Sequence, residues 1–220
     1  MEELNCETVF TIPIFGGIAV GESVVVSWII IAALAILSFL LTRNLKVENP
    51  GKGQIMLETA VSGLHDLVAE MVGEEGRRYV PYLMTVLVYI GISNIIGLVG
   101  FKPPTKDLTV TIALAVMSIV LIEFAGIYAK GIKGWVKSFA QPVAIMTPFN
   151  ILEIVIRPLS LCMRLFGNVL GAFVIMELIK QIVPVVLPVP FSLYFDIFDG
   201  LIQAYVFVFL TSLFIKEAVE

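Results

Sequence analysis

Charged and polar side chains interrupt a long apolar stretch at residues 147–179, at spacings that a helix would bring to one face. At 100° per residue, six residues of this stretch lie within roughly 40° of one line along such a helix. They are Glu153, Arg157, Ser160, Arg164, Asn168 and Gly171. Ionisable groups inside a membrane are costly and usually line a pathway. The stripe therefore predicts ion movement along this helix rather than contact with lipid.

Arg164 is the residue of this stripe best suited to control ion movement. An arginine is not deprotonated at accessible pH, so it never carries a proton itself. A fixed positive charge repels cations and attracts carboxylates, and in a poorly screened site that attraction amounts to several kcal/mol. Gly167 and Gly171 lack side chains nearby, which would let a neighbouring helix come close. Arg164 is therefore predicted to repel cations and to attract carboxylates along this path.

A second polar face is expected in the apolar stretch 190–215, where Asp196, Asp199 and Gln203 stand at positions i, i+3 and i+7. We expect at least one aspartate to line an ion channel, and the alternative is a solvated position at the helix end. Asn168 and Gln203 are expected to serve ion movement. Hydrogen bonding between helices is the alternative role of these two amides.

Two further acidic residues are candidates for the ion path, each with a structural alternative. Glu177 lies away from the Arg164 side of its helix, so a channel role and a surface role are both open. Glu123 interrupts the apolar stretch 108–129. It is either a channel acid or an interfacial partner of Lys130 or Lys133.

Arg157 and Glu153 are secondary candidates at the start of the same helix as Arg164. Arg157 stands four residues after Glu153, a spacing at which opposite charges pair on a helix. Anchoring of the helix end is the expected role of Arg157. A direct role in the ion path is the alternative.

The elements that position these residues are predicted to be the helices of an all-α, polytopic integral membrane protein. The 220-residue chain is 59% hydrophobic and 15% charged, whereas soluble domains average about 25% charged residues. Apolar runs of the lengths found here are typical of transmembrane helices. A single membrane domain over residues 1–220 is expected, with five crossings at residues 24–41, 79–101, 108–129, 147–180 and 190–216.

The lengths and patterns of three segments refine this topology. Residues 53–73 carry apolar residues at helical spacing opposite a polar face, which predicts an amphipathic helix along the membrane surface. The stretch 147–179 would extend about 50 Å as a helix, whereas the hydrocarbon core is about 30 Å thick. The last two crossings are therefore expected to tilt. Pro148 and Pro158 favour a bend in the first of them.

The distribution of lysine and arginine predicts the orientation, since basic residues concentrate on the cytoplasmic side. One predicted side carries Lys102, Lys106 and Lys180. The other carries Arg43, Lys46, Lys52, Arg77, Arg78, Lys130, Lys133, Lys137 and Lys216. The second side, with the basic loop 130–146 and the C-terminus, is expected to be cytoplasmic. The N-terminal segment 1–23 is then expected to be extracytoplasmic. The membrane that the chain spans is expected to be the cell membrane.

The other reactive residue types do not favour an enzyme. Cys6 and Cys162 form no disulfide framework, and His65 is a lone histidine on the polar face of the surface helix. We expect no cofactor, metal site or nucleic-acid partner, and no Walker loop is present. A secondary transporter is one alternative, but no internal repeat is found. An intramembrane protease is the other, but Asp196 and Asp199 share one helix.

The residues around Arg164 resemble a known signature. Arg157-Pro-Leu-Ser-Leu-Cys-Met-Arg-Leu-Phe-Gly-Asn168 looks like that of subunit a of the F-type ATP synthases. Leu201-Ile-Gln-Ala-Tyr-Val-Phe207 resembles the matching stretch of that family's last helix. Asn94-Ile-Ile-Gly-Leu98 and Pro104-Thr-Lys-Asp-Leu-Thr-Val-Thr-Ile112 resemble its earlier helical hairpin. The resemblance runs from about Val24 to the end of the chain.

The resemblance implies the stator half of a rotary ion motor, which is not catalytic on its own. Arg164 matches the arginine that faces the ring of c subunits and separates two half-channels, through which ions reach and leave the ring carboxylates. Asn168 matches the polar residue one turn beyond, and Gln203 matches the glutamine near the arginine. The implied partners are the c ring, the b subunits of the peripheral stalk, the remaining subunits of the complex and the lipid bilayer. The transported ion is a proton or sodium.

The chain departs from the family pattern at the outer half-channel. Many members carry a glutamate nine residues after the arginine and a histidine seven residues before the glutamine. The corresponding residues here are Phe173 and Asp196. We expect Glu177, one turn beyond Phe173, to replace the missing glutamate, with Asp196 and Asp199 as its partner acids.

Overall fold

The all-α fold is confirmed by a computed structural model, which describes residues 8–12, 18–43, 45–46, 51–99, 101–138, 147–182 and 188–219. Its α-helices are α1 (Glu22–Thr42), α2 (Lys52–Val72), α3 (Val80–Ile95), α4 (Leu108–Ser138), α5 (Thr147–Ile182), α6 (Pro188–Ser192) and α7 (Gly200–Val219). Short 3-10 turns lie at Arg77–Tyr79, Ile96–Val99 and Pro104–Lys106, and a π-helix at Leu193–Asp199 joins α6 to α7.

Five helical stretches of the described chain are long and apolar enough to cross a membrane, as the sequence predicts. They are Glu22–Thr42, Arg77–Leu98, Leu108–Trp135, Thr147–Gln181 and Pro190–Val219. α5 has 36 residues and continues through Pro158. At 1.5 Å per residue it extends about 54 Å, well beyond a hydrocarbon core of about 30 Å. The predicted excess of helix length over the thickness of the hydrocarbon core is therefore confirmed. The tilt of α5 in the membrane stays a prediction.

The N-terminal segment contains a small hairpin that the sequence analysis missed. Thr8–Ile12 (β1) pairs antiparallel with Ile18–Gly21 (β2), which leads directly into α1. The β-branched residues of both strands favour this conformation. At the start of α1, Glu22 Oε2 accepts a hydrogen bond from Lys102 Nζ at 3.0 Å. This ion pair holds the start of α1 beside the turn that precedes α4.

The centre of the bundle lies among α3, α4 and α7. Leu83, Ile90, Ile122, Phe207 and Ile215 are at most 1% exposed there. Since lipid is as apolar as these side chains, their packing stabilises the bundle through van der Waals contact rather than release of water. α5 packs along α4 and touches α7 only sparsely. Much of the surface of α5 is therefore open in this chain.

The amphipathic helix predicted at residues 53–73 is α2, which buries Val68 and Val72 against the bundle. It ends at Gly73, whose φ of 78° suits glycine and whose N–H donates to Ala69 O at 3.0 Å. Its place at the membrane surface stays a prediction.

α4 continues beyond residue 129, where the predicted crossing ends. The helix is interrupted at Gly131, which has φ 70° and ψ 161°, and then resumes to Ser138. The first part of the predicted basic loop 130–146 is therefore helical. Residues 139–146 lie outside the described residues.

Candidate functional site

Arg164 stands on an exposed face of α5. The neighbouring face carries Leu161 and Leu165, which are 1% and 0% exposed, and α5 packs along α4. Within the described residues, the guanidinium makes neither a hydrogen bond nor an ion pair. A Cβ added at Gly167 or Gly171 would meet no atom within 4 Å. This face, here called the open face, leaves room for another helix to approach the cation.

Asn168 lies one turn beyond Arg164 and joins α5 to α7. Its Nδ2 donates a hydrogen bond to Gln203 Oε1 at 2.6 Å. Gln203 is 3% exposed, and its Nε2 has no acceptor among the described residues. A buried amide N–H is costly to leave unpaired, and this NH2 group carries two donors, so it has the capacity for further acceptors.

Asn94 and Thr105 extend this polar region, and the sequence analysis did not include them among the site residues. Asn94 Nδ2 donates to Gly200 O at 2.9 Å, and Thr105 Oγ1 donates to Asn94 Oδ1 at 2.7 Å. A Cβ at Gly200 would lie 2.8 Å from Asn94 Cβ, so glycine permits the close approach of α3 and α7. Asn94 could have been identified from the sequence, because it is a polar amide inside an apolar membrane crossing.

These amides lie at a cavity of about 560 Å³. Its polar lining residues are Asn94, Lys102, Lys106, Asn168, Lys180, Ser192, Asp196, Asp199 and Gln203. The cavity thus brings together four predicted site residues from α5, α7 and the π-helix. It lies on the side of Arg164 that carries the three lysines, which the sequence predicts to be extracytoplasmic.

The two aspartates of the cavity are carried by the π-helix Leu193–Asp199, a helix type that is frequent at functional sites. Asp196 Oδ2 accepts a hydrogen bond from Ser192 Oγ at 2.6 Å. A Cβ at Gly97 would lie 3.3 Å from Asp196 Oδ1, so the carboxylate rests close to the backbone there. The wider turn was not visible in the sequence, which predicts ordinary helical spacing for these residues.

The structure places Glu177 apart from the other candidate acids. It lies 4.0 Å from Lys180 and is not among the residues that line the cavity. Phe173, one turn earlier, does line the cavity, and Lys106 Nζ lies 3.1 Å from the centre of its ring. A lysine ammonium therefore lies beside the position where many relatives are expected to carry a glutamate.

Arg157 is paired, as the sequence predicts, but with two carboxylates rather than one. Its Nη2 lies 3.1 Å from Glu153 Oε1 and 2.8 Å from Glu217 Oε1. Its guanidinium carbon also lies 4.8 Å from the centre of the Phe214 ring. Glu217 and Phe214 belong to α7, so Arg157 ties α5 to the end of α7.

Glu123 lies outside the cavity lining and pairs with neither predicted lysine. Its Oε2 accepts a hydrogen bond from Trp135 Nε1 at 2.8 Å. The expected partners Lys130 and Lys133 make no ion pair in the described part of the chain.

The chain is similar to known proteins over almost its whole length. The profile of the family described as ATP synthase A chain matches residues 24–216. This chain belongs to the ATP synthase subunit a family. ATP synthase subunit a of Moorella thermoacetica is 37% identical to it over 206 residues, which cover 93% of this chain and 94% of that protein.

Two further relatives carry the same family name. ATP synthase subunit a 3 of Pelobacter propionicus is 38% identical over 207 residues, 92% of this chain and 89% of that protein. ATP synthase subunit a 2 of Acaryochloris marina is 31% identical over 206 residues, 93% of this chain and 88% of that protein. The resemblance inferred from the residues around Arg164 is thereby confirmed. The chain is a multi-pass membrane component of an ATP synthase complex and serves ATP synthesis and ion transport.

Proposed function

We propose that this chain is the ion-conducting stator of a rotary ATP synthase, with Arg164 as the electrostatic barrier between two half-channels. The observation that carries the proposal is the exposed, unpaired Arg164 in the described part of a long apolar helix. An unpaired cation is costly in lipid. A carboxylate presented by a neighbouring helix in the assembled complex would neutralise it.

The open face supports a moving partner of this kind. Gly167 and Gly171 flank the arginine on one side with open space. A ring of c subunits, each with a carboxylate on a transmembrane helix, could therefore slide past the face while each carboxylate in turn meets Arg164. Free cations would be repelled by the same charge.

The cavity supports one of the two half-channels. It reaches from Lys102 and Lys180 inward to Asn168 and Gln203, one turn from Arg164. Asp196 and Asp199 supply carboxylates along it for a proton or a sodium ion. Glu177 remains a proposed second acid of the path. In that role its side chain would turn away from Lys180, from which it lies 4.0 Å in the structure. Glu123, Arg157 and Glu153 are assigned supporting positions rather than positions in this half-channel.

The placement in the cell follows from the charge distribution. The side with the larger number of basic residues faces the cytoplasm, so the N-terminal hairpin is extracytoplasmic and α7 ends in the cytoplasm. The membrane is the cell membrane. The b subunits of the peripheral stalk hold the chain against rotation. The chain contributes no catalytic residue, and ATP is made by other subunits of the complex.

The replacement Arg164→Ala tests this proposal in the complete complex, reconstituted into vesicles. We expect ion-driven ATP synthesis to fall at least about a hundredfold, because losing a desolvated charge contact costs on the order of 3 kcal/mol or more. The replacement Arg43→Ala, at the exposed C-terminal end of α1, is the matched control and should leave synthesis unchanged. Synthesis by an assembled Arg164→Ala complex at the rate of the control would contradict the proposal.

A further inference from the structure

α4 folds back on itself at one end. Gly131 has φ 70°, a left-handed value that favours glycine, and helix resumes after it. Trp135 Nε1 then donates to Glu123 Oε2 at 2.8 Å. A straight helix would separate two residues that are 12 positions apart by about 18 Å. Residues 131–138, here called the basic hook, therefore lie back against α4 instead of extending its axis.

The reversal lies at the edge of the predicted membrane crossing. From Leu108 to Lys130 the helix extends roughly 34 Å, slightly more than the hydrocarbon core. Tyr128 is just before the reversal, and the guanidinium carbon of Arg78 lies 4.5 Å from the centre of its ring. Tyrosine and tryptophan are enriched where hydrocarbon meets the headgroups. The basic hook is thus placed at headgroup level.

The basic hook is amphipathic. Ile132 and Trp135 stand three residues apart on one side, whereas Lys133 and Lys137 stand four residues apart on the other. Ile132 is 71% exposed, and both lysines are exposed. Neither lysine makes an ion pair with any residue of the described ranges. The hook thus presents two uncompensated positive charges beside an apolar edge.

We propose that the basic hook is a docking surface for the headgroups of anionic phospholipids. The ammonium groups of Lys133 and Lys137 bind headgroup phosphate, while Ile132 and Trp135 contact the upper acyl chains. Each lysine near an anionic membrane surface favours binding by roughly fivefold. Glu123 is a positioning residue, because its bond to Trp135 holds the hook against α4 with the lysines at the membrane surface.

The test uses the full chain with Trp28→Phe, which leaves Trp135 as the single tryptophan, in lipid nanodiscs. Bromine on the acyl chains quenches nearby tryptophan fluorescence. It is placed on phosphatidylglycerol in one sample and on phosphatidylcholine in another, at the same mole fraction. We expect brominated phosphatidylglycerol to be enriched at Trp135 at least roughly fivefold over brominated phosphatidylcholine. High salt should abolish this enrichment, and so should the double variant Lys133→Gln/Lys137→Gln. Lys46→Gln/Lys52→Gln removes the same charge near the start of α2 and should keep the enrichment.

Two outcomes overturn the proposal. One is equal quenching by the two brominated lipids, and the other is equal loss of enrichment in both lysine pairs, which would show general charge attraction only. If the basic hook binds a protein subunit instead of lipid, the two brominated lipids would also quench equally. In that case Lys133→Gln/Lys137→Gln would weaken retention of the peripheral stalk in the complex. Glu123→Leu, with unchanged circular dichroism, should release the hook and alter the quenching of Trp135. Unaltered quenching in this variant would contradict the positioning role.

Discussion

The two arginines of α5 stand seven residues apart in the sequence and have opposite environments. The side chain of Arg157 is 14% exposed and contacts the carboxylates of Glu153 and Glu217. Arg164 is exposed and has no ionic partner among the described residues. One cation is therefore neutralised within the chain, and we propose that a partner outside the chain neutralises the other. In a membrane helix, the unpaired charge is the one that marks the functional surface.

The paired arginine also helps to position the unpaired one. α5 and α7 touch sparsely, and the polar links that join them include Arg157 with Glu217 and Asn168 with Gln203. Arg164 lies between these links along α5. The two links are therefore expected to fix the height and rotation at which α5 presents Arg164 to a neighbouring helix.

Filling the open face should have the largest effect of the variants that keep both arginines. Gly167→Leu/Gly171→Leu places two large side chains in the space beside Arg164. We expect ATP synthesis by the complete complex to fall at least about tenfold, because the partner helix can no longer approach the cation. Folding should not suffer, since leucine favours a helix over glycine by roughly 1 kcal/mol per position.

Gly63→Leu is the matched control for this prediction, because Gly63 is exposed in the middle of α2 and also has no atom within 4 Å of an added Cβ. Equal rates of synthesis in the filled variant and the control would show that nothing approaches the open face.

The link between Asn168 and Gln203 should behave asymmetrically. Asn168→Leu leaves the amide oxygen of the buried Gln203 without its partner, which costs about 1–3 kcal/mol. Gln203→Leu leaves only the exposed Asn168 unpaired, so it should cost less. The double variant Asn168→Leu/Gln203→Leu should recover stability relative to Asn168→Leu, because the buried amide left without its partner is also removed. Thermal unfolding of the full chain in detergent measures this order, and simple additivity of the two losses would contradict it.

The smallest effect is expected at Arg157. Its two carboxylate partners are about half exposed, so Arg157→Met should lower the free energy of unfolding by only about 1 kcal/mol. ATP synthesis should remain within about threefold of the parent complex, since Arg164 is kept and the link between Asn168 and Gln203 still positions it. Arg157→Lys keeps the charge, so its free energy of unfolding should lie between those of Arg157→Met and the parent chain. A loss of synthesis by Arg157→Met as large as that by Arg164→Ala would erase the contrast between the two arginines.

Much of this architecture was predictable because the relevant signals are local. Apolar runs fix the five crossings, and a helical period of 3.6 places Arg157, Arg164 and Asn168 on one stripe. The signature around Arg164 is enough to indicate the family from sequence alone. The surface helix was equally visible, since the apolar and polar residues of residues 53–73 separate cleanly onto two faces.

The features that were missed depend on contacts between distant parts of the chain or on backbone conformation. Glu217 stands 60 residues from Arg157, so its role as a partner could not be inferred from spacing. Trp135 reaches Glu123 only because Gly131 reverses the helix. The π-helix likewise changes where Asp196 and Asp199 lie relative to a regular helix. Sequence periodicity assumes regular elements, and each of these cases departs from that assumption.

The most direct test of the barrier is passive ion flow through the complete complex in the absence of ADP, when the catalytic head keeps the ring from turning and ions can cross only directly between the half-channels. Vesicles with Arg164→Ala, Arg157→Met or the parent chain are given the same imposed ion gradient, and its decay is recorded. We predict rapid decay for assembled Arg164→Ala alone, because the two half-channels are no longer separated by a fixed charge. A gradient that decays as slowly with Arg164→Ala as with the parent chain would contradict the account.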